Sequence, residues 1–467
     1  MPVPVLTIAE MRAWEQASWV AGAKELDVIR CVGAAVGRTA CRLTQSGDRI
    51  LILAGRGNNG ADARAAEPHL NERTVERLDI MDPAAAVPAL SAALARRPAL
   101  VVDGLFGIGV NRPLSREWCR LMNWLNEAQL RVLAVDVPSG LDGDTGESWG
   151  GAVQATETLT VGAPKAGLLA SAAVDLVGRL EVVRDVGLVG EPPSGGSLLW
   201  ALAEDFLGRL RRRLPTTHKG SLGHTVVLAG SVGYTGAAVL AARAAGRARP
   251  GLVSVLTSPD AWQTVASQLV TAMVHPFSMA HPILDRASAI LVGPGLAAMN
   301  LPPGIHSEVL RLWREFPGVM VADASVLDWL SPGTVPGGPR IVTPHPGEAG
   351  RMLGRETVEV QKNRVAALRQ LAELFQTLVV LKGHQTLIGA STGPVFVNPV
   401  GNPGLAQGGT GDVLAGFLAG LVAQPAMRED LLWAARFATW QHGAGADRLE
   451  AVGNGWTAED LVSELHA

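Results

Sequence analysis

Short apolar runs, each stopping on a cluster of small and polar residues, recur from one end of this chain to the other. In the first half they are expected as strands at about Arg49–Ala54, Val75–Ile80, Ala99–Asp103 and Val132–Asp136. In the second they are expected at His224–Ala229, Leu252–Leu256, Ala289–Val292 and Val319–Ala322, with further strand ends at Ile341-Val342 and Val379-Val380-Leu381. Helical patterns fill the gaps; Thr7-Ile8-Ala9-Glu10, for example, reads as a capping box opening a helix to about Val20. Apolar strands alternating with helices build a parallel sheet covered on both faces. The chain is therefore read as α/β, with two doubly wound domains. Gly190-Glu191-Pro192-Pro193-Ser194-Gly195-Gly196-Ser197 has a linker's composition. This predicts a first domain over 1–190, a linker over 191–202 and a second domain over 203–467. The basic run Arg209 to Arg213 reads as a solvated helix end or a surface facing phosphates.

The chain has 467 residues, enough for more than one substantial core. Its net charge of −3 and 4% aromatic content fit neither a nucleic-acid groove nor a base-stacking platform. Three cysteines without metal-like spacing argue against a disulfide framework or zinc site. The opening MPVPVLTIAEMRAWEQ lacks a basic stretch before an apolar core, and no apolar run approaches about 18 residues. No membrane association and a cytoplasmic location are expected.

In doubly wound sheets ligands collect at the carboxyl ends of strands, and the polar clusters lie there. Asn58, Asn59 and Asp62 follow the first run, Asp103 with Gly107-Ile108-Gly109 follows another, and Asp136-Val137-Pro138-Ser139-Gly140 a third. Asn59, Asp103 and Ser139 offer hard oxygens of low total charge, suited to a monovalent cation or magnesium. Asp136 and Lys165 are a candidate proton-transfer pair. The alternatives are a turn cap for Asp136 and a solvated loop lysine for Lys165.

In the second half the most informative stretch is Asn402-Pro403-Gly404-Leu405-Ala406-Gln407-Gly408-Gly409-Thr410-Gly411-Asp412-Val413-Leu414. A glycine-rich loop running into an apolar helix aims free N–H groups and the positive helix end at a bound anion. Asp412, in the first helical turn, is placed to take a proton from a hydroxyl that attacks phosphorus. Gly230–Ala238, Gly293-Pro294-Gly295, His345 between two prolines, and Lys382 after an apolar run mark other strand ends. His345 reads as ligand-facing or as a surface residue, and Lys382 as a phosphate partner or a solvated head.

GRGNNGAD, VVDGLFGIGVNRPL, VDVPSGLDGDTG and VGAPKAGLL resemble the epimerase domain of bifunctional NAD(P)H-hydrate repair enzymes. GSVGYTGAA, VGPGL, TPHPGE, LKGHQT and NPGLAQGGTGDVLAG resemble the ribokinase-like dehydratase domain of the same family. The resemblance implies an N-terminal Rossmann-like epimerase domain that interconverts the R and S hydrates of NADH and NADPH. It implies that Asn58, Asn59, Gly60, Ala61, Asp62, Gly107, Ile108, Gly109, Val110, Asn111, Arg112, Pro113 and Asp136 hold the hydrate. Asn59, Asp103 and Ser139 would bind potassium, with Asp136 and Lys165 catalytic. In the second domain Ala237, Gly295, His345 and Asp412 would contact the hydrate. Lys382, Gly383, His384, Gln385, Thr386 and Gly411 would contact the adenylate, and Asp412 would be the base. ADP or ATP is the implied phosphoryl donor, with magnesium, and a homo-oligomer of four or more subunits is implied. The alternative is a kinase for a small vitamin alcohol, its first half a non-catalytic binding or scaffold domain.

Two departures bear on the first half. The family's Gly-Gly-Asp-Gly is Gly60-Ala61-Asp62-Ala63 here, and the loop would be strained if Ala61 and Ala63 needed positive φ. The family's Met-Glu and Ala-Gly signature is replaced by Val28-Ile29-Arg30-Cys31-Val32-Gly33.

Overall fold

A computed structural model describes residues 1–467 except Asn111, Ser194, Gly195, 209–212, Asn300 and Asn454. The hydrate contact expected at Asn111, the middle of the expected linker and most of the basic run after Gly208 thus lie outside the described residues. The chain divides into one unit over Val3–Trp200 and another over Ala201–Ala467 with Met1–Pro2.

Strands of the first unit are β1 (Val3–Pro4), β2 (Arg49–Ala54), β3 (Thr74–Asp79), β4 (Leu100–Gly104), β5 (Val132–Val135), β6 (Glu157–Val161), β7 (Arg179–Val183) and β8 (Leu198–Trp200). Six of them form a parallel sheet in the order β3-β2-β4-β5-β6-β7. The chain leaves β2 outward to β3 and then returns to β4 on the other side. A crevice opens where the winding reverses, at the carboxyl ends of β2 and β4. Ile50, Ile52, Leu100, Val102, Leu133 and Val135 point to one buried face; Leu51, Leu53, Val101 and Val132 point to the other. Burial on both faces explains why these strands read as unbroken apolar runs.

The expected capping box is present: Thr7 Oγ1 accepts from the Glu10 N–H, and Glu10 Oε2 accepts from the Thr7 N–H, opening the helix Ile8–Val20. The stretch after β2 is a helix, Asn58–Ala65, and Ala61 and Ala63 lie inside it without positive φ. Alanine is at home in a helix, so the two substitutions strain nothing. Two strands of this sheet, β6 and β7, escaped the sequence reading; β6 hides polar Thr158 and Thr160 in a fully buried run.

In the second unit the strands are β9 (His224–Leu228), β10 (Leu252–Thr257), β11 (Met273–Pro276), β12 (Ala289–Val292), β13 (Val319–Ala322), β14 (Arg340–Val342), β15 (Leu378–Leu381), β16 (Leu387–Gly389) and β17 (Val395–Val397). They run in the order β17-β16-β15-β14-β13-β12-β9-β10-β11. The pairs from β9 to β15 are parallel, and β15-β16-β17 is an antiparallel meander. Here the winding reverses between β9 and β12.

The helix Thr410–Val422 is apolar on nearly every face because it is almost wholly buried. It lies against the alanine-rich helix Thr235–Arg247. A Cβ on Gly416 would come 2.1 Å from the Ala241 carbonyl oxygen, and one on Gly420 2.4 Å from that of Ala245. These two glycines, one turn apart, let the backbones meet and so fix where the helix's amino end points. A long helix near the carboxyl end runs over Leu431–Val452. Gly443 does not end it; a Cβ there would meet the Val400 carbonyl at 2.4 Å, so the glycine serves close packing.

Candidate functional site

Two clusters at strand carboxyl ends, one in each unit, gather nearly all the residues singled out from the sequence.

In the second unit the loops after β9, β12, β13, β14 and β15 surround the amino end of Thr410–Val422. Gly409, at φ +95°, turns the chain into that helix in a left-handed conformation natural to glycine. Thr410 Oγ1 donates back to the carbonyls of Leu405 (2.9 Å) and Gln407 (3.1 Å), closing the loop on itself. The first-turn carbonyl of Thr410 accepts from Nε2 of buried His442 at 2.9 Å. Burial holds that imidazole down to about 4, so it is neutral and donates from Nε2.

Asp412 is half-buried one residue past Gly411. Burial, then the negative charge of Asp323, push its carboxyl up to about 7, with Lys382 pulling the other way. Lys382 is not a solvated head. Its Nζ donates to Asp323 Oδ1 at 2.7 Å and lies 3.8 Å from Glu348 Oε2. Burial opposes its charge, but the two carboxylates outweigh burial and the net shift is upward. Asp323 also accepts from Thr343 Oγ1 at 2.8 Å. Asp323, which follows the strand Val319–Ala322, pairs with Lys382 and lies beside Gly411, and so belongs to the cluster.

His345 caps the helix Pro346–Leu353. Its Nδ1 accepts from the N–H groups of Gly347 (3.0 Å) and Glu348 (3.3 Å), and Glu348 Oε2 accepts from the His345 N–H at 2.7 Å. That leaves Nε2 as the proton-bearing nitrogen of a half-exposed ring. Gly295, at φ +67°, has no room for a side chain: a Cβ would sit 3.0 Å from that of Ala237 and 2.5 Å from the Tyr234 carbonyl. Ser231 ties the same turn down by donating to the Gly295 carbonyl at 2.6 Å.

The segment Lys382 to Thr386 bends through Gly383 (φ +131°) and Gln385 (φ +51°). Arg364, which nothing in the sequence marked, holds it. Its guanidinium donates to the carbonyls of Leu381 (3.2 Å), Lys382 (3.3 Å), Gln385 (3.3 Å) and His384. Burial lowers Arg364 to about 10, which still leaves it a cation.

The first unit contains a cleft of about 980 Å³ at the winding reversal. Asn58, Asn59, Asp62, the stretch Gly107 to Val110, Arg112, Pro113 and Asp136 line it. Helices Ile8–Val20 and Glu25–Leu43 add Arg12, Glu15, Glu25 and Val28, none of which was expected in the site. Gly60 and Ala61 do not line the cleft, and a Cβ on Gly60 would strike the Gly55 carbonyl at 2.0 Å.

Behind the cleft Lys165 is fully buried. Its Nζ donates to Asp136 Oδ1 at 2.5 Å, Val161 O at 2.7 Å and Thr160 Oγ1 at 3.1 Å. Asp136 itself adopts φ +67°, an uncommon conformation for a residue with a side chain. Its Oδ1 also accepts from the Val161 N–H at 3.1 Å. Strand β6 thus supplies partners to both members of the pair.

Asp103, at the end of β4, is completely buried. Ser139 donates to it twice, from N–H at 2.9 Å and from Oγ at 2.6 Å, and the Leu105 N–H donates at 3.2 Å. Burial nevertheless moves its carboxyl upward. Asn59 Nδ2 donates to the Phe106 carbonyl at 2.8 Å, on which Ser139 Oγ also lies at 3.2 Å. Asn59 Oδ1 is buried and has no hydrogen-bond partner among the described residues.

Among the described residues no helix is long and apolar enough to cross a membrane. The three cysteines, Cys31, Cys41 and Cys119, are free.

Two families match this chain: one described as NAD(P)H-hydrate dehydratase over residues 225–466, the other as YjeF-related protein N-terminus over residues 72–167. The bifunctional NAD(P)H-hydrate repair enzyme of Coxiella burnetii is 34% identical over 489 residues, covering 98% of this chain and 97% of that protein. Its counterpart in Escherichia coli K12 is 32% identical, covering 89% and 84%. The one in Pyrobaculum aerophilum is 31% identical, covering 96% and 94%. Among solved structures, a ribokinase-like superfamily protein from Enterococcus faecalis is 24% identical with a TM-score of 0.51, covering 59% of this chain and 96% of that one. The ADP/ATP-dependent NAD(P)H-hydrate dehydratase of Bacillus subtilis, crystallised with ATP and magnesium, is 32% identical with a TM-score of 0.48, covering 55% and 91%. From end to end, this chain belongs to the family of bifunctional NAD(P)H-hydrate repair enzymes.

Proposed function

We propose that residues 1–190 interconvert the R and S hydrates of NADH and NADPH, and that residues 203–467 convert the S hydrate back to the reduced cofactor at the expense of ADP. The observation that carries the reading is Asp412, a carboxyl titrating near neutrality at a glycine-lined helix end, close to a half-buried lysine.

A hydrated dihydronicotinamide bears its hydroxyl on the ring carbon next to nitrogen, where an enamine adds water. Asp412 takes the proton of that hydroxyl as its oxygen attacks the terminal phosphorus of ADP. The oxygen–phosphorus bond forms, the bridging bond to AMP breaks, and AMP leaves. Phosphate then departs with the carbon–oxygen electron pair, a proton is lost from the adjacent carbon, and the ring double bond returns. Lys382, held by Asp323, and the N–H groups of Gly408 to Gly411 stabilise the charge that gathers on the phosphoryl oxygens.

Magnesium commonly keeps several waters and binds through one or two carboxylates plus substrate phosphates. Asp323 and Glu348 fit that donor set and would hold it. When bound it neutralises phosphate charge. In the first half Asn59 Oδ1, which has no partner among the described residues, forms with the Phe106 carbonyl, Asp103 and Ser139 a set of hard oxygens of low charge, and it fits potassium. These residues would hold the ion, which would supply fixed positive charge at the floor of the cleft. Asp136, oriented by Lys165, exchanges protons at the hydrated carbon. Three free cysteines suit a reducing compartment, the cytoplasm; assembly into a homo-oligomer of four or more subunits is carried over from the resemblance.

The test is spectrophotometric. Absorbance at the reduced nicotinamide band should rise when ADP is added to NADH hydrate, with AMP and phosphate released in equal amounts. A flat trace, with phosphorylation of a small vitamin alcohol instead, would overturn the reading in favour of a kinase. Parallel runs with ATP and with NADPH hydrate fix the donor and the preferred cofactor.

A further inference from the structure

Three acidic side chains lining the first-half cleft, Glu15, Glu25 and Asp62, have no task in the chemistry above, and of these Asp62 is the buried one. Asp62 sits in the middle of the helix Asn58–Ala65, is 9% exposed, and lines the cleft. The other two buried carboxyls nearby are well supplied. Asp136 accepts from Lys165, Thr160 and Val161, and Asp103 accepts from Ser139 and Leu105. No donor to the Asp62 carboxyl is found among the described residues. A carboxylate taken out of water without donors or a cation is costly, whereas the neutral acid is not.

The charges around it act in the same sense. Glu15 faces the cleft from the helix Ile8–Val20, Glu25 from the helix Glu25–Leu43, and Asp136 from the end of β5. Arg12, Arg56 and Arg112 also reach the cleft, and Lys165 lies behind it. Burial first, then Asp136, Glu15 and Glu25, push the Asp62 carboxyl up to about 8, with Lys165 opposing. At neutral pH Asp62 is therefore a carboxylic acid, and it shares the cleft with the lysine-anchored Asp136 on a different element.

We infer that Asp62 is a catalytic residue of the first half, the general acid that gives its proton to the hydroxyl oxygen of the hydrate, while Asp136 accepts a proton from the water that replaces it. This rests on the epimerase reading and assigns its second proton-transfer group. In the step, the proton passes from Asp62 to the hydroxyl oxygen and the carbon–oxygen bond breaks. Water leaves with the bonding pair, and the ring nitrogen's lone pair supplies the resulting iminium. Water then adds to the other face of the carbon, the new carbon–oxygen bond forms, and its surplus proton goes to Asp136. Water is lost and regained, so hydrate composition is unchanged. The swapped protonation states either return through solvent or run the reverse epimerisation with the roles exchanged.

The test uses the full chain, pure R hydrate, and rates corrected for uncatalysed epimerisation. Asp62→Asn keeps the volume and removes the transferable proton. It should lower epimerisation by about 10²–10⁴-fold, with R-hydrate binding retained and S-hydrate dehydration by the second half unchanged. Wild-type kcat/KM for epimerisation should fall as pH rises past about 8. An Asp62→Asn protein that epimerises at the wild-type rate overturns the assignment, as does one whose loss is entirely a loss of R-hydrate binding. Should the variant's first half fail to fold, the wild-type profile decides: a rate that stays level through pH 8 overturns it. A wild-type protein that dehydrates the S hydrate but never turns over the R hydrate would remove the epimerase reading itself, a distinct result.

Discussion

Asp412 and Asp62 are both aspartates raised by burial, and the same shift prepares them for opposite tasks. Asp412 must be ionised to take a proton, so dehydration is expected to fail at low pH. Its carboxyl titrates at about 7 in the nucleotide-free protein. The kcat/KM for S hydrate should therefore climb through about pH 7 to a plateau, because that ratio reports the free enzyme. Bound polyphosphate adds negative charge nearby and should move the corresponding limb of kcat higher still. Asp412→Asn should lower turnover by about 10²–10⁴-fold without any loss of Tm, and an active, ADP-consuming variant would remove the base assignment. For Asp62 the linkage has the sign of a raised acid. Its folded carboxyl titrates near 8 against an ordinary 3.8, so the native state binds the extra proton between those values. Stability is therefore full below the lower value and falls as pH rises toward the upper one. Asp62→Asn lacks that dependence, and its Tm relative to wild type should climb steadily between about pH 4 and pH 8. A gap that stays constant with pH would mean that the carboxyl is not neutral in the folded protein.

Among the elements, the two short pieces that open helices set the chemistry. In Asn58–Ala65 the alanines stand where the resemblance leads one to expect glycine, yet helical φ suits alanine better. Ala61→Gly should cost about 0.5–1 kcal/mol and bring no gain in epimerisation. Ala63→Gly should cost more, because Ala63 is fully buried against Gly104. A rise in epimerase activity in either variant would show that the cleft needs the lost flexibility. Gly409 is the converse case. At φ +95°, with a Cβ that would lie 2.6 Å from Leu240 Cδ1, Gly409→Ala should cost about 1–2 kcal/mol and slow dehydration by displacing the loop before Asp412. Both openings were legible in the sequence because glycine and asparagine clusters follow runs buried on both faces. What was not legible is equally instructive. Strand β6 carries threonines whose hydroxyls are consumed inside, Thr158 on the Val177 carbonyl and Thr160 on Asp136. Lys165 among glycines and alanines read as solvated or paired with equal justice, since Asp136 together with Thr160 and Val161 of β6 makes its burial tolerable. Arg364 and His442 act through backbone carbonyls on other elements, a kind of partnership that leaves no pattern in the chain.

At the scale of the molecule, each set of candidate site residues falls inside one unit with its own core. Asn58 to Asp62, Asp103, Asp136 and Lys165 belong to Val3–Trp200, whereas Asp323, Lys382 and Asp412 belong to Ala201–Ala467. Lesions in the two are thus expected to separate cleanly. With ADP and a mixture of hydrates, Asp412→Asn should regenerate no reduced cofactor yet continue to equilibrate R with S. A first-half lesion should spend the S form at the wild-type rate and then slow to the uncatalysed supply of S from R. Asp136→Ala alone is a poor choice for this lesion, because it strands Lys165 as a buried, unpaired cation at a cost of about 3–5 kcal/mol. Asp136→Asn combined with Lys165→Met removes both charges and keeps the volume. Mixing that double variant with Asp412→Asn then asks whether hydrate moves freely through solution. Full consumption of both epimers by the mixture is expected, since each protein supplies the half the other lacks. A mixture that halts once the original S form is gone, although each variant keeps its own activity, would mean that epimerised hydrate does not leave the chain that made it.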